Sequence, residues 1–302
     1  MTTSSLTAAA GTAARGSRAR AFLRLVKVEH SVFALPFAYI AALTAMFPDV
    51  SWWRLGLITV AMVAARTFAM AANRIIDRHI DARNPRTALR ELVTGVVSLR
   101  TAWVGALVAL AVFLGAAAVF STLTLVLAPV AVVPLVVYPY AKRFIWAPHA
   151  MLALAQAVAP VGAWIAVTGA WSWSAVILGC AVGLWIGGFD IIYACQDIDV
   201  DRAIGVRSLP ARFGAAAALR VSSLAHVVTF GLFAWYGVRV GYGALWYAGL
   251  ALTAGAFCYE HAIVQPGDLS RVNRAFFTAN GFVGIVLFAF TLADLTARGL
   301  HP

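Results

Sequence analysis

The chain has 302 residues and only twelve acidic ones, and five of these fall in two short segments. The first reads Asn73-Arg74-Ile75-Ile76-Asp77-Arg78-His79-Ile80-Asp81, the second Tyr193-Ala194-Cys195-Gln196-Asp197-Ile198-Asp199-Val200-Asp201. Each places two aspartates four residues apart. On a helix such residues share a face, about 5–6 Å apart at Cβ. Asp77 therefore stacks with Asp81, and Asp197 with Asp201. Like charges stacked this way repel, so a cation is expected between them. Oxygen-only ligands favour Mg²⁺ or Ca²⁺ over zinc. Mg²⁺ takes one or two carboxylates, keeps several waters and binds substrate phosphate. Two aspartate pairs facing each other would hold a diphosphate between metal ions.

The elements that must position these pairs are membrane helices. The chain is 62% hydrophobic and 12% charged, against about 25% charged in a soluble domain. Its apolar residues come in runs of about 20, the length that crosses a bilayer as a helix. A soluble enzyme, a secreted disulfide scaffold and a disordered chain are excluded. The expected fold is all-α and polytopic, with nine spans near 31–47, 51–72, 101–119, 122–140, 150–169, 173–194, 219–238, 242–262 and 276–296. With that count, 19 of the 23 basic residues fall on one side, Arg54, Arg239 and Arg298 on the other, and Arg66 inside a span. Such asymmetry marks the cytoplasmic side. It places the N-terminus and both aspartate segments there, in a cell membrane. The net charge of +11 is thereby explained by topology, lipid and substrate, without nucleic acid. Residues 1–21 lack the apolar core of a secretory signal. They read as a flexible basic tail, followed by one transmembrane domain over 22–302. Cys180, Cys195 and Cys258 have no spacing that suggests zinc or a disulfide framework.

Basic residues flank both segments: Arg83, Arg86 and Arg90 after the first, Arg202, Arg207 and Arg212 after the second. The loop after the fourth span adds Tyr138-Pro139-Tyr140-Ala141-Lys142-Arg143. Arginine pairs bidentately with phosphate oxygens, and lysine acts as a point charge. A diphosphate held at a membrane surface beside apolar helices suggests a lipid diphosphate. Two ionisable residues lie within spans, and an intramembrane charge points to function. Arg66 is seven residues before Asn73, and Asp190 seven before Asp197. Each is about two helical turns below its motif on a similar face, where it would line a cavity.

These residues resemble the UbiA superfamily of intramembrane prenyltransferases, over about residues 22–296. The family motif Asn-Asp-x-x-Asp-x-x-x-Asp appears as NRIIDRHID, with Arg74 in place of the first Asp. The second motif, Asp-x-x-x-Asp, is carried by Asp197 and Asp201, and Tyr-Pro-x-x-Lys-Arg appears as YPYAKR. The segments KVEHSVFALPFAY, NRIIDRHIDARNPRT and NRAFFTANG are similar to the 4-hydroxybenzoate polyprenyltransferase-like branch, many of whose members serve menaquinone synthesis through futalosine. RELVTG stands where many relatives have Arg-Pro-Leu-Pro-x-Gly. The resemblance implies nine helices ringed around a central cavity, capped by cytoplasmic loops and open sideways to lipid.

It also implies a Mg²⁺-dependent prenyltransferase that joins a polyprenyl diphosphate to a hydroxylated aromatic acid. Asp77, Asp81, Asp197 and Asp201 hold the metal, with Asn73. Lys142, Arg143 and Arg207 neutralise the diphosphate. Asp190 or Asp199 accepts the ring proton, and Tyr193 offers a π face to the allylic cation. A carboxylate on the acceptor would give Arg66 a partner. Both 4-hydroxybenzoate and a hydroxylated naphthoate meet these demands. The branch resemblance leans toward the naphthoate and menaquinone, with ubiquinone-type synthesis from 4-hydroxybenzoate as the alternative. A small-molecule transporter is the non-enzyme alternative, but it would place its charges near midplane on broken helices, and here they gather at one surface. Prenyl chain length and oligomeric state are not legible in the residues.

Overall fold

A computed structural model of the chain describes residues 21–22, 24–26 and 34–301. Residues 1–20 of the expected tail lie outside the described residues, and Ala21 is helical and buried. The helices are α1 (Leu35–Met46), α2 (Trp52–Asp81), α3 (Leu99–Phe120), α4 (Thr122–Ala141), α5 (Pro148–Thr168) and α6 (Trp173–Ala194). They continue as α7 (Ile198–Ile204), α8 (Leu209–Val240), α9 (Ala244–Ile263), α10 (Val272–Arg274) and α11 (Asn280–Ala297). A 3₁₀ turn, Cys195–Asp197, joins α6 to α7, and a π-turn, Ala275–Ala279, joins α10 to α11. Among the described residues no strand forms; two isolated bridges pair Asp49 with His301 and Gln265 with Asp268.

Seven helical segments among the described residues are long and apolar enough to span a bilayer, not the nine expected. The two that fall short are α1 and α9. Helix α1 has 12 residues, from Leu35, after its N-cap at Ala34, to Met46. The 20 residues of α9 include Trp246, Tyr247, Tyr259, Glu260 and His261, which dilute its hydropathy. The chain is a multi-pass membrane protein.

The helix starts follow capping chemistry. Ser98, Ser121 and Ser208 each accept a hydrogen bond from the backbone N–H three residues on, satisfying a donor that the first turn leaves unpaired. The three prolines inside α4, Pro129, Pro134 and Pro139, are tolerable in a membrane helix whose neighbours satisfy the freed backbone groups. Exposed Val104, Leu107 and Val108 on α3, with Val126, Val130 and Val133 on α4, form an apolar face suited to lipid.

The core lies around α1, where Phe37, Ala38, Ile40, Ala41 and Ala42 are fully buried. Phe37 stacks on Phe233 at 5.6 Å and meets Trp185 at 5.1 Å. Helices α5 and α6 pack backbone to backbone. Gly179, Gly183 and Gly187 form a stripe four residues apart on α6. A Cβ at Gly179 would lie 2.4 Å from the Ala157 carbonyl oxygen, and one at Gly183 2.5 Å from that of Ala153. In a bilayer, where lipid is as apolar as leucine, small residues that let backbones meet are a main source of helix association.

Candidate active site

Both aspartate segments converge on one polar cavity of about 300 Å³. The first segment is the last two and a half turns of α2. The second does not continue α6 as a regular helix. Its chain tightens through the 3₁₀ turn, so Asp197 ends that turn and caps α7. Gly205 then closes α7 in the left-handed region, at φ 74°, which favours glycine. The reversal returns Arg207 and Ser208 to the cavity wall.

Each motif aspartate meets a different partner. Lys142 Nζ donates to Asp77 Oδ2 at 2.6 Å. Arg90 Nη1 donates to Asp81 Oδ1 at 2.6 Å. Asp197 accepts from Arg86 Nη2 to Oδ2, from Arg86 Nε at 3.0 Å and from Asn84 Nδ2 at 3.1 Å. Ser208 Oγ donates to Asp201 Oδ2 at 2.8 Å while capping α8.

The loop after α2 folds back to make two of these contacts. Asn84 Oδ1 accepts from the Arg86 N–H, and Thr87 Oγ1 donates to the Asp81 carbonyl, both at 2.9 Å. Arg86 thus straps the α2 side of the cavity to the α6 side, and its Nη1 also donates to the Tyr193 hydroxyl at 3.0 Å. Burial works against the Arg86 charge, but the hydrogen bond and attraction from Asp197 outweigh it and raise its pKa above the ordinary guanidinium value. The RELVTG turn contributes Arg90 to Asp81 and places Gly95 at φ 78°, a conformation that favours glycine.

Of the residues expected from sequence, Asn73, Asp77, Asp81, Asp197, Asp201, Lys142, Arg207, Arg66, Asp190 and Tyr193 all line this cavity. Two do not. Asp199 is exposed, because its position between Asp197 and Asp201 turns it to the opposite face of α7. Arg143 lies behind Asp77, 3.9 Å from its Oδ1, and donates to the Ile76 carbonyl at 2.5 Å. Arg83, Arg202 and Arg212 are likewise outside the wall. Arg207 lines the wall while donating to the Phe144 carbonyl over the Trp146 ring. Arg74, in the place of the family Asp, is buried and lines the cavity.

Sequence reasoning did not single out His149, whose Nδ1 is 2.6 Å from Asp190 Oδ2. It also did not assign Asn84, or the pairing of Arg86 and Arg90 with particular aspartates. The Asp190–His149 contact leaves Arg66 without the acidic partner that Asp190 could have been, and the buried Arg66 Nε meets no hydrogen-bond partner.

A second cavity of about 230 Å³ adjoins the first, with Ala34, Arg66 and Gln156 common to both. Its wall is apolar, with Met62, Phe113, Phe120 and Leu135 among its residues, and it reaches Trp171 in the loop between α5 and α6. A charged, phosphate-sized chamber therefore opens into a greasy one at Arg66.

The family model for UbiA prenyltransferases matches residues 34–282. The chain belongs to the UbiA prenyltransferase family. It is a transferase of that family, with the motif residues described above at its cavity wall. A 4-hydroxybenzoate octaprenyltransferase of Pseudomonas aeruginosa is 31% identical over 242 residues, covering 80% of this chain and 81% of that protein. One of Alkalilimnicola ehrlichii is 34% identical over 234 residues, covering 78% and 79%. Among solved structures, a UbiA homolog from Aeropyrum pernix K1, determined as the apo protein, superposes with a TM-score of 0.81 at 36% identity, covering 88% of this chain and 98% of that one. A UbiA homolog from Archaeoglobus fulgidus bound to GPP and Mg²⁺ has the same fold, with a TM-score of 0.72 at 22% identity, covering 91% and 99%. The named relatives speak for 4-hydroxybenzoate rather than the naphthoate that the branch resemblance favoured.

Proposed function

We propose that the protein transfers a polyprenyl group from a polyprenyl diphosphate to 4-hydroxybenzoate, with Mg²⁺, from the cytoplasmic face of a cell membrane. The observation that carries this reading is the polar chamber holding both aspartate pairs, joined to an apolar one. Residues 22–302 act as one transferase domain whose nine helical segments, α1 and α9 included, cross the bilayer.

The donor set fits a divalent metal. Asp77 Oδ1 is buried with no hydrogen-bond partner, an acceptor left open beside the cavity. Among the described residues, no three acidic, histidine or cysteine side chains form a closed cage. Mg²⁺ is typically held by one or two carboxylates with substrate phosphate completing the shell. Asp77 and Asp81, helped by Asn73, would hold one ion, and Asp197 and Asp201 another. When bound, the metal neutralises charge on the departing diphosphate.

The chain's own residues do the rest. Lys142, Arg86 and Arg90, held on carboxylates, and Arg207, held on the Phe144 carbonyl, lie within the same chamber and turn toward phosphate oxygens. Such donors act most where charge develops in the transition state. Tyr193 and Phe276, with ring centroids 4.4 Å apart, wall the cavity and offer π faces to the allylic cation. The apolar chamber takes the prenyl chain and keeps it from water.

Arg66, at the mouth between chambers, faces the acceptor's carboxylate. That carboxylate supplies the partner its buried Nε lacks; a hydrogen bond to a charged group contributes about 1.5–3 kcal/mol. The test is a competition assay on purified protein. Equal 4-hydroxybenzoate and dihydroxynaphthoate are offered with a polyprenyl diphosphate. Preference for 4-hydroxybenzoate, with an Arg66→Leu variant that raises acceptor KM and not prenyl diphosphate KM, supports the reading. Exclusive use of the naphthoate returns the enzyme to menaquinone synthesis.

A further inference from the structure

The cavity holds one side-chain pair that neither the aspartate motifs nor the diphosphate employs. His149 is the second residue of α5, after Pro148, and is 5% exposed. It meets Asp190 because the glycine stripe lets α5 and α6 touch. A Cβ at Gly187 would lie 3.2 Å from the His149 carbonyl oxygen, and Asp190 follows Gly187 by three residues on α6. The 2.6 Å contact between Asp190 Oδ2 and His149 Nδ1 assigns the tautomer. A carboxylate accepts, so Nδ1 carries the hydrogen and the neutral ring presents a lone pair at Nε2. That Nε2 is buried and has no hydrogen-bond partner, while the residue lines the cavity. A buried polar atom left unpaired is costly, and a bound substrate that supplies a proton removes the cost.

The motif carboxylates and the Tyr193 hydroxyl are occupied or misplaced for the ring. Asp81, Asp197 and Asp201 are held by Arg90, Arg86 and Ser208. Asp77 Oδ1 is open but sits beside Lys142 and Arg143 at the diphosphate end. The Tyr193 hydroxyl accepts from Arg86. Asp199 is exposed.

We propose that His149 Nε2, oriented by Asp190, is the base that takes the proton released by the acceptor ring. This rests on the aromatic-acceptor reading above. In the balanced step, the C1–O bond of the prenyl diphosphate breaks and its electron pair leaves on diphosphate. A π pair of the ring forms the new C–C bond to C1. The C–H pair at the attacking ring carbon returns to the ring as its proton moves to Nε2. The imidazolium then lies against the Asp190 carboxylate and passes the proton to water after product release. The arrangement follows the logic by which a carboxylate orients a histidine base in acyl-transfer enzymes.

The experiment compares turnover of ordinary and ring-deuterated 4-hydroxybenzoate by wild type, His149→Gln and Asp190→Asn. Prenyl diphosphate binding is followed by the thermal stabilisation that geranyl diphosphate with Mg²⁺ confers. Both variants should lose about 10²–10⁴-fold in kcat, the usual contribution of a general base, and should keep the ligand-induced stabilisation. Their kcat should show a normal deuterium isotope effect larger than that of wild type, because ring deprotonation becomes limiting. A merely structural role would slow turnover without raising the isotope effect, and that result overturns the proposal, as does unchanged kcat in His149→Gln. Asp190→Asn keeps the test open if His149→Gln does not fold. If wild type prenylates no 4-hydroxybenzoate while retaining prenyl diphosphate stabilisation, the acceptor reading itself fails, and this assignment falls with it.

Discussion

Lys142 and Asp77 show what single residues settle at this site. The Asp77 side chain is 1% exposed and its lysine partner 26%. Removing one member of a buried pair leaves the other charge uncompensated, which is more damaging than removing both. Lys142→Gln should therefore lower thermal stability in detergent, and Asp77→Asn combined with Lys142→Gln should restore much of it. Turnover should stay low in both, by about 10²–10³-fold, the scale of losing one positioned charge stabiliser. A double variant with recovered activity would make the pair purely structural.

Asp77 and Asp81 were legible as a pair because four-residue spacing has one meaning on a helix, whereas Asp197 and Asp201 reach the cavity from a 3₁₀ turn and α7. The matching of each aspartate to its own cation was not legible. Arg83, Arg86 and Arg90 look alike as letters, and only the Asn84 turn decides that Arg86 crosses the cavity while Arg83 stays outside. His149 gave no signal either, since its partner is 41 residues away.

At the scale of elements, two packing devices hold the site in shape. The first is the α5–α6 glycine stripe. Gly183→Leu would drive a side chain into the Ala153 backbone, and overpacking of this kind typically costs about 1–3 kcal/mol. It should separate His149 from Asp190, so thermal stability and kcat should both fall, whereas Gly231→Ala on α8, which meets nothing within 4 Å, should leave both near wild type.

The second device is Asn280 at the end of the π-turn. Its Nδ2 donates to Glu260 Oε1 at 2.8 Å and to the Ala275 carbonyl at 3.3 Å, while its Oδ1 accepts from Trp185 Nε1 at 2.8 Å. One amide thus ties α6, α9 and the turn that carries Phe276. Asn280→Ala leaves buried polar groups unpaired, worth about 1–3 kcal/mol, and a melting curve should show the loss.

Apolar runs announced most of these helices, because a bilayer demands about 20 apolar residues per crossing. They did not announce the 3₁₀ and π turns. Those depend on tertiary partners such as Asn280 rather than on local composition. The helix α9 is less apolar than the other long helices, and it carries Glu260, which neighbours bury fully.

For the whole molecule, the proposed orientation follows from the charge asymmetry. It puts the aspartate cavity toward the cytoplasm and Trp171 and Trp173 at the opposite surface. Leu89, Phe144 and Trp173 are all exposed. In a background lacking Cys180, Cys195 and Cys258, Leu89→Cys and Phe144→Cys should resist an impermeant thiol reagent in intact cells and label after lysis. Trp173→Cys should label from outside. The reverse pattern would invert the site. The orientation is an expectation from lysine and arginine counted by loop, and the chambers were not legible at all, since cavity-lining and lipid-facing residues are equally apolar.

The central claim is that both aspartate arms act together, with metal, on a prenyl diphosphate. It is tested most directly by mass spectrometry of the product made from polyprenyl diphosphate and 4-hydroxybenzoate by purified wild type, Asp77→Asn and Asp197→Asn, with Mg²⁺ or with EDTA. The account predicts a prenylated acid from wild type with Mg²⁺ alone, and a loss of at least about 10²-fold in each variant. Undiminished product in EDTA, or from either variant, would contradict it.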